Sequence, residues 1–262
     1  MTLLKNYLGG EKMQSIVLAE LYKLLKRKNF IILAILSLWS LIYGFGAFLH
    51  WDFVKIGAKL DLVTFITTMW TFLLILTIPL LLILYTSSFI LGGEIQGGQI
   101  LLEVNRVTSK KILIVSKYIV VILSILFLYI LNCLTSLVTY ICFISHTEFG
   151  YTRFWELHAT NVQSIVVSLV NLGFIILLAS IAFYLSLNIS AIMASFASLG
   201  VYFLCQLLSN ITMISKFIPG YFFVVPNYHF TIGLSLIHLL SYFLLCILLL
   251  IATVKGFESK AF

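Results

Sequence analysis

The sequence predicts an all-α, polytopic membrane protein with six transmembrane helices, and three observations carry that reading. Of the 262 residues, 62% are hydrophobic and 10% charged, against about 45–50% and about 25% in soluble domains. The apolar residues gather into runs long enough to cross a bilayer and leave no soluble domain of useful size. The basic residues gather at alternate junctions between those runs. A single transmembrane domain, 1–262, is expected: an amphipathic segment 1–29, six spans over 30–254 and a tail 255–262.

Ahead of the first span, SIVLAELYKLLKRKNF sets Val17, Leu21, Leu24 and Leu25 at helical spacing, with Glu20, Lys23 and Arg27 on another face. The pattern predicts an amphipathic helix on the membrane surface, although the same basic residues also serve as a plain topology signal. Residues 30–49 are 20 uncharged positions, about 30 Å of helix, which matches a bilayer core. The run lacks an A-x-A cleavage pattern and is expected to be a retained span. A second, longer run covers 64–93, with Pro79 as an expected kink whose freed carbonyl neighbouring groups take up. A third follows Lys117 to about residue 145. Residues 159–215 contain no Asp, Glu, Lys or Arg over 57 positions, roughly 85 Å as one helix and too long for one crossing. They must fold back, and Ser186, Asn188 and Ser190 mark the turn. The sixth run covers 231–254.

An even number of spans puts both termini on one side. Lys5, Lys12, Lys23, Lys26, Arg27, Lys28, Arg106, Lys110, Lys111, Lys117, Lys255 and Lys260 share that side, twelve of the 16 basic residues. Lys55, Lys59, Arg153 and Lys216 lie opposite. The positive-inside rule therefore places both termini in the cytoplasm of a cell membrane, such as a bacterial plasma membrane. The same placement, without basic stripes interleaved with aromatics, argues against nucleic acid as a partner of the +7 chain.

Polar faces run along several spans. Thr64, Thr67, Thr68 and Thr71 follow i, i+3, i+4, i+7, as do Asn132, Thr135, Ser136 and Thr139, while Ser190, Ala194 and Ser198 form a small-residue strip. Of these, Thr64, Thr67, Thr68, Thr71, Asn132, Thr135 and Thr139 are candidates to line a path; the alternative is helix-on-helix packing. Cys133, Cys142, Cys205 and Cys246 all fall in apolar runs without C-x-x-C spacing and read as small packing residues. His238 lies alone within a span and reads as a packed or interfacial group.

Catalytic and energy-coupling motifs are missing. There is no Gly-Lys pair and hence no phosphate-cradling loop, no H-E-x-x-H and no G-x-S-x-G. The expected spans hold no Asp, Glu, Lys or Arg to act as an ion relay. His146, Glu148, Glu156 and His158 share one loop, but their spacing fits no metal-ligand pattern, and the aromatic residues between them suggest an interfacial belt. The chain is expected to move something without powering the movement, and to be no enzyme.

What remains is GGEIQGGQILLEVNRVTSKKILIVSK, the charged stretch between the second and third runs and the one inner loop long enough to dock another protein. It resembles the corresponding loop of the type-2 ATP-binding-cassette (ABC) exporter permeases, a pattern of roughly E-x-x-x-G-T, P-x-S-R and G-K. Glu94 and Gly98 match its first part, Ser109 and Lys110 stand at the S-R positions, and Lys117 matches the closing lysine. Gln99, Val107 and Ser116 depart from the threonine, proline and glycine. Six spans, the basic amphipathic N-terminal segment and the Pro219-Gly220 segment extend the resemblance over nearly the whole chain.

The resemblance implies a half-transporter. Two permeases, identical or homologous, would pair in the bilayer above a separate ATPase dimer that carries the ATP and Mg; this chain would bind no cofactor. A cytoplasmic coupling helix near 99–105 would transmit ATPase closure. Spans 1 and 5 would face the partner permease, and spans 2 and 5 would border the path. Within that helix, Ile100 and Val104 are expected to fill an apolar groove on the ATPase, with Glu103 and Arg106 paired at its rim. Glu94 is expected to fix the coupling helix by a salt bridge or a helix cap, the alternative being an exposed acid balancing Lys110 or Lys111. The expected cargo is amphipathic: an antimicrobial peptide first, as in the immunity permeases of this family, otherwise a drug or lipid-like molecule. Aromatic side chains in EFGYTRFWELH and FIPGYFFVVPNYHF, at headgroup depth, motivate that expectation or are plain interfacial anchors. The rival readings are a membrane scaffold or assembly factor, and an intramembrane enzyme, which would need paired carboxylates or histidines in its spans.

Overall fold

A computed structural model describes residues 2–52, 54, 56–57, 59–107, 109–151, 158–211, 214–225 and 228–260. Lys55, Arg153, Glu156, Pro226 and Asn227 lie outside the described residues, as does the side chain of His158. Of the loop set His146, Glu148, Glu156 and His158, the last two side chains therefore lie outside them, as does much of EFGYTRFWELH.

Among the described residues the architecture is all-α, with six helices long and apolar enough to cross a membrane: Lys28–Phe48, Ile78–Gln96, Lys110–His146, Thr160–Leu185, Ala191–Leu208 and Ile232–Glu258. A helix over Thr2–Leu25 precedes them. The second span is extended toward the far end by a separate apolar helix, Leu62–Ile75. Asp61 starts it, its carboxylate accepting from Thr64 N–H at 2.9 Å, which satisfies one of the donors a helix start leaves free.

Pro79 explains why span 2 is two helices and not the single kinked one expected. Its ring cannot donate to the carbonyl of Ile75 and crowds it, so the helical ladder fails one turn upstream. The chain breaks at Leu76–Thr77 and restarts at Ile78 with Pro79 in the first turn, where a missing N–H is harmless.

Span 4 is the hub, packed against span 6, both halves of span 2, span 5 and span 3. Ala179 and Ala182 keep its sides small, and Ile175, Leu178 and Phe183 fill the gaps without exposure. Hydroxyls bridge neighbouring spans: Ser198 Oγ to the Leu178 carbonyl at 2.6 Å, Ser88 Oγ to the Ala191 carbonyl at 2.8 Å, and Tyr118 to Ser180 at 2.7 Å. Such bonds give buried polar groups partners where lipid offers none. Spans 4 and 5 turn at Ser186–Asn188, and Ser190 caps span 5 by accepting from Met193 N–H at 3.2 Å. Large apolar side chains on the outside of spans 1, 5 and 6 (Ile35, Phe196, Leu204, Leu240, Leu248) present a surface fit for hydrocarbon.

Six crossings bring the N-terminal helix, the loop after span 2, the turn at Ser186 and the C-terminal tail to one end, here the charged end. Lys260 Nζ donates to the Leu187 carbonyl, and Lys110 Nζ to the Lys260 carbonyl at 3.0 Å, tying tail, turn and loop together.

Candidate functional site

The N-terminal helix lies against span 3 on the face its pattern suggested, with Val17, Leu21 and Leu24 packed into the core and Leu25 left outside, but that face also takes in a charge. Glu20 is buried beside Leu24, while Leu18, Tyr22 and Leu25 form an exposed stripe at i, i+4, i+7. A carboxylate buried that far needs a counter-charge, and Lys117 supplies it.

Lys117 stands in the third turn of span 3 and has no exposed surface. An ammonium has three N–H donors, and three carboxylates from three different elements surround this one. Glu20 of the N-terminal helix is 3.0 Å from Nζ, Glu103 of the short loop helix Gln99–Val104 is 2.7 Å away as an ion pair outside hydrogen-bond alignment, and Glu94 at the end of span 2 bonds it directly. Lys23 contacts Glu20 at 2.7 Å, bonds Glu103 and lies 3.8 Å from Glu94. Arg27 Nη2 donates to Glu94 at 2.7 Å, and its guanidinium sits 4.9 Å from the Phe89 ring centre. Three acids meet three bases, so the cluster is neutral as a whole.

Local backbone aims these groups. A π-helical turn over Phe89–Gly93 immediately precedes Glu94; its extra residue re-phases the helix by about 100°, and Glu94 emerges buried, with 1% of its surface exposed. Gly92 lets this turn press on the span 4–5 corner, since a Cβ there would lie 2.7 Å from the Ser186 Cβ. Gly98 opens the loop helix at φ +69°, a left-handed conformation that side-chain-bearing residues resist.

The cluster sets its own electrostatics. Burial alone would raise the Glu103 carboxyl, but Lys117 and then Lys23 outweigh it and hold the group below the usual carboxylate range. Burial opposes the Lys23 charge, yet Glu103 and Glu20 carry its ammonium up to about 12. The oxygens of Glu20, Glu94 and Glu103 lie within 4.8 Å of one another, a spacing that fits a metal. Lys117 Nζ already contacts all three, so the donor set carries its own cation.

Of the loop residues singled out in the sequence, Glu94, Glu103 and Lys117 come together. Ile100 does not face outward: it is buried in this chain's own core, and Val104 packs half-buried against it. The apolar side chains the loop helix exposes are Leu101 and Leu102, 45% and 63% accessible. Glu103 turns inward to Lys23 and Lys117 and leaves Arg106 exposed, so the expected rim pair does not form. Ser109 precedes span 3 without a side-chain cap. Sequence reasoning missed Glu20, Lys23 and Arg27 as members of this site. The available signal was Lys117 itself, seven residues into the apolar run that opens span 3, where a lone cation needs a buried acid.

The polar faces mostly pack. Asn132 Nδ2 donates to the Ser37 carbonyl at 3.0 Å, Thr135 contacts Ser37 and Ser40, and Thr139 is buried where Gly44 leaves room for it. Asn132, Thr135 and Thr139 therefore seat span 1 on span 3. Thr67 bonds to its own helix at Val63, Thr71 to Thr67 and Thr64 to Asn161, while Thr68 is exposed. His238 is buried, 3.0 Å from the Lys216 carbonyl and 3.2 Å from the Tyr242 hydroxyl, and it stacks on Tyr221. Tyr221, Phe222 and Phe223 are buried in the core beside it.

No family model matches this chain, and no curated protein matches it.

Proposed function

We propose that this chain is the membrane-spanning permease subunit of an ABC-type exporter, with both termini cytoplasmic and ATP hydrolysed by a separate subunit. The observation that carries the reading is the neutral ion cluster at the charged end. It joins the N-terminal helix, the end of span 2, the loop helix and the start of span 3 through one buried ammonium. A push on the loop helix would reach spans 2 and 3 through charged contacts that cannot be dropped singly without stranding a buried ion. Leu101 and Leu102 are the side chains such a push would meet, in place of Ile100 and Val104. A second permease is proposed to cover the apolar outer faces of spans 1 and 5. The cargo is proposed as an amphiphile, with a membrane-active peptide the first candidate and a hydrophobic drug or lipid the next.

The test purifies the chain from its native membrane and asks for an ATPase subunit in the complex. Leu101→Asp with Leu102→Asp should release that ATPase and leave the chain folded. Glu94→Gln should keep it bound while uncoupling hydrolysis from protection of a sensitive cell. A folded wild-type chain that recovers no ATPase supports the scaffold reading instead.

A further inference from the structure

Span 1 is interrupted near its middle, and span 2 is interrupted where it joins the helix Leu62–Ile75; the rest of the chain treats the two interruptions differently. Span 1 loosens at Ser37 and Leu38, between helices Lys28–Leu36 and Trp39–Phe48. The Ser37 carbonyl there receives Asn132 Nδ2 at 3.0 Å and Thr135 Oγ1 at 3.3 Å, and both Ser37 and Asn132 are buried. That break is sealed by span 3.

Among the described residues, none covers the break in span 2 in this way. Thr77 sits at φ +26°, a region that favours glycine. Leu81 N–H reaches the Thr77 carbonyl at 2.8 Å, and the Thr77 hydroxyl reaches the Ile75 carbonyl at 3.4 Å. The helix ending at Ile75 and the one beginning at Ile78 otherwise meet end to end, where carbonyls and amides lack intrahelical partners. Ile75, Leu76 and Ile78 are 53%, 39% and 69% exposed, so the joint opens on the outside of the chain.

Its depth makes that a problem for lipid. Fourteen residues of helix lie on the far-end side of the joint and nineteen on the charged-end side, about 21 Å and about 28 Å, so a hydrocarbon core about 30 Å thick centred on the pair encloses the joint. Irregular backbone at such depth persists only under protein or beside water. The far-end half of the span decides between them. Thr64, Thr68 and Thr71 run at i, i+4, i+7 toward Ile75 at i+11, with Thr68 exposed and the other two half-buried. This hydroxyl stripe leads from the far-end solvent to the joint.

We propose that the break in span 2 borders a water-filled cavity entered from the far end along Thr64, Thr68 and Thr71, where its free carbonyls offer hydrogen-bond acceptors inside the membrane. The inference stands on backbone satisfaction and holds whether or not the chain works with an ATPase.

The test uses the full chain in membrane vesicles, with Cys133, Cys142, Cys205 and Cys246 replaced by alanine. Single cysteines at Thr77, Thr68 and Leu248, the last exposed on span 6, are treated with a charged, membrane-impermeant methanethiosulfonate. Thr77→Cys and Thr68→Cys should react at least about tenfold faster than Leu248→Cys. Reaction of Thr77→Cys no faster than Leu248→Cys overturns the proposal and places the joint under a second protein surface. Should Thr77→Cys fail to fold, Ile78→Cys takes its place with the same two outcomes.

Discussion

The two ends of the molecule are closed by different chemistry. At the charged end, three carboxylates converge on Lys117 and are bound in turn by Lys23 and Arg27, with Glu20, Glu94 and Lys117 buried. At the far end the loops before span 2 and after span 3 are clasped by neutral groups. Leu60 and Gly150 form an isolated bridge, with Leu60 N–H bonded to the Phe149 carbonyl at 2.9 Å and Tyr151 N–H to the Leu60 carbonyl at 3.2 Å. The Tyr140 hydroxyl lies 2.9 Å from the carbonyls of Leu60 and Tyr151 and accepts from Tyr151 N–H at 3.1 Å. A buried ion cluster is stable only when complete, whereas backbone and hydroxyl bonds fail one at a time. The charged end is therefore built to hold or let go as a unit, whereas the loop clasp at the far end can loosen bond by bond.

The largest expected effect breaks the cluster. Lys117→Met leaves Glu20, Glu94 and Glu103 facing one another without their central cation. Stranding buried charge in this way costs about 3–5 kcal/mol, and thermal unfolding in detergent should show a clear loss. Adding Glu94→Gln to Lys117→Met should recover part of it, because one of the stranded charges is gone. Equal stability of the single and double variants would mean that the cluster does not act as a unit.

How far this contrast was legible beforehand follows from particular residues. The spans were legible because runs such as 159–215 are apolar over more than one membrane thickness, and the turn was legible because Ser186, Asn188 and Ser190 interrupt them. Glu94, Glu103 and Lys117 stood out because charge is rare in this chain. Glu20 did not, since its i+3 neighbour Lys23 makes it look like half of a surface pair. Its burial depends on how closely the N-terminal helix meets span 3, which the spacing of Val17, Leu21 and Leu24 does not show. Ile100 and Val104 were misplaced because an apolar pair at i, i+4 fits this chain's own core as well as a partner's groove. The break at Thr77 was legible only as a kink, because Pro79 announces a lost hydrogen bond and not whether a neighbour replaces it.

The next effect concerns the far end. Tyr140→Phe keeps the ring against Phe65 but removes the hydroxyl that serves Leu60 and Tyr151. The Leu60 carbonyl and the Tyr151 N–H keep their bond to each other, so the lost hydroxyl bonds should cost about 0.5–1.5 kcal/mol. Proteolysis should then cut first near 56–61 or 146–151 and leave the N-terminal helix protected. Lys117→Met should reverse that order, exposing the segment around residues 97–109 first. Identical cleavage patterns for the two variants would erase the distinction between the ends.

The smallest effect is a pH dependence confined to the charged end. Glu103 has its carboxyl held below the ordinary value by Lys117 and Lys23 against the opposing pull of burial. A depressed carboxyl adds stability above its unfolded value near 4.5, and that contribution is lost as pH falls through the lowered native value. Between pH 7 and about 5 the unfolding temperature should therefore hardly move on this account, and below about 4.5 it should decline. Glu103→Gln has no such proton to take up, so its decline over the same interval should be shallower, even though its starting stability is lower. Tyr140→Phe touches no ion of the cluster and should follow the wild-type slope at an offset. A Glu103→Gln slope as steep as wild type would assign the acid sensitivity to other carboxylates and remove Glu103 from the group that lets go together.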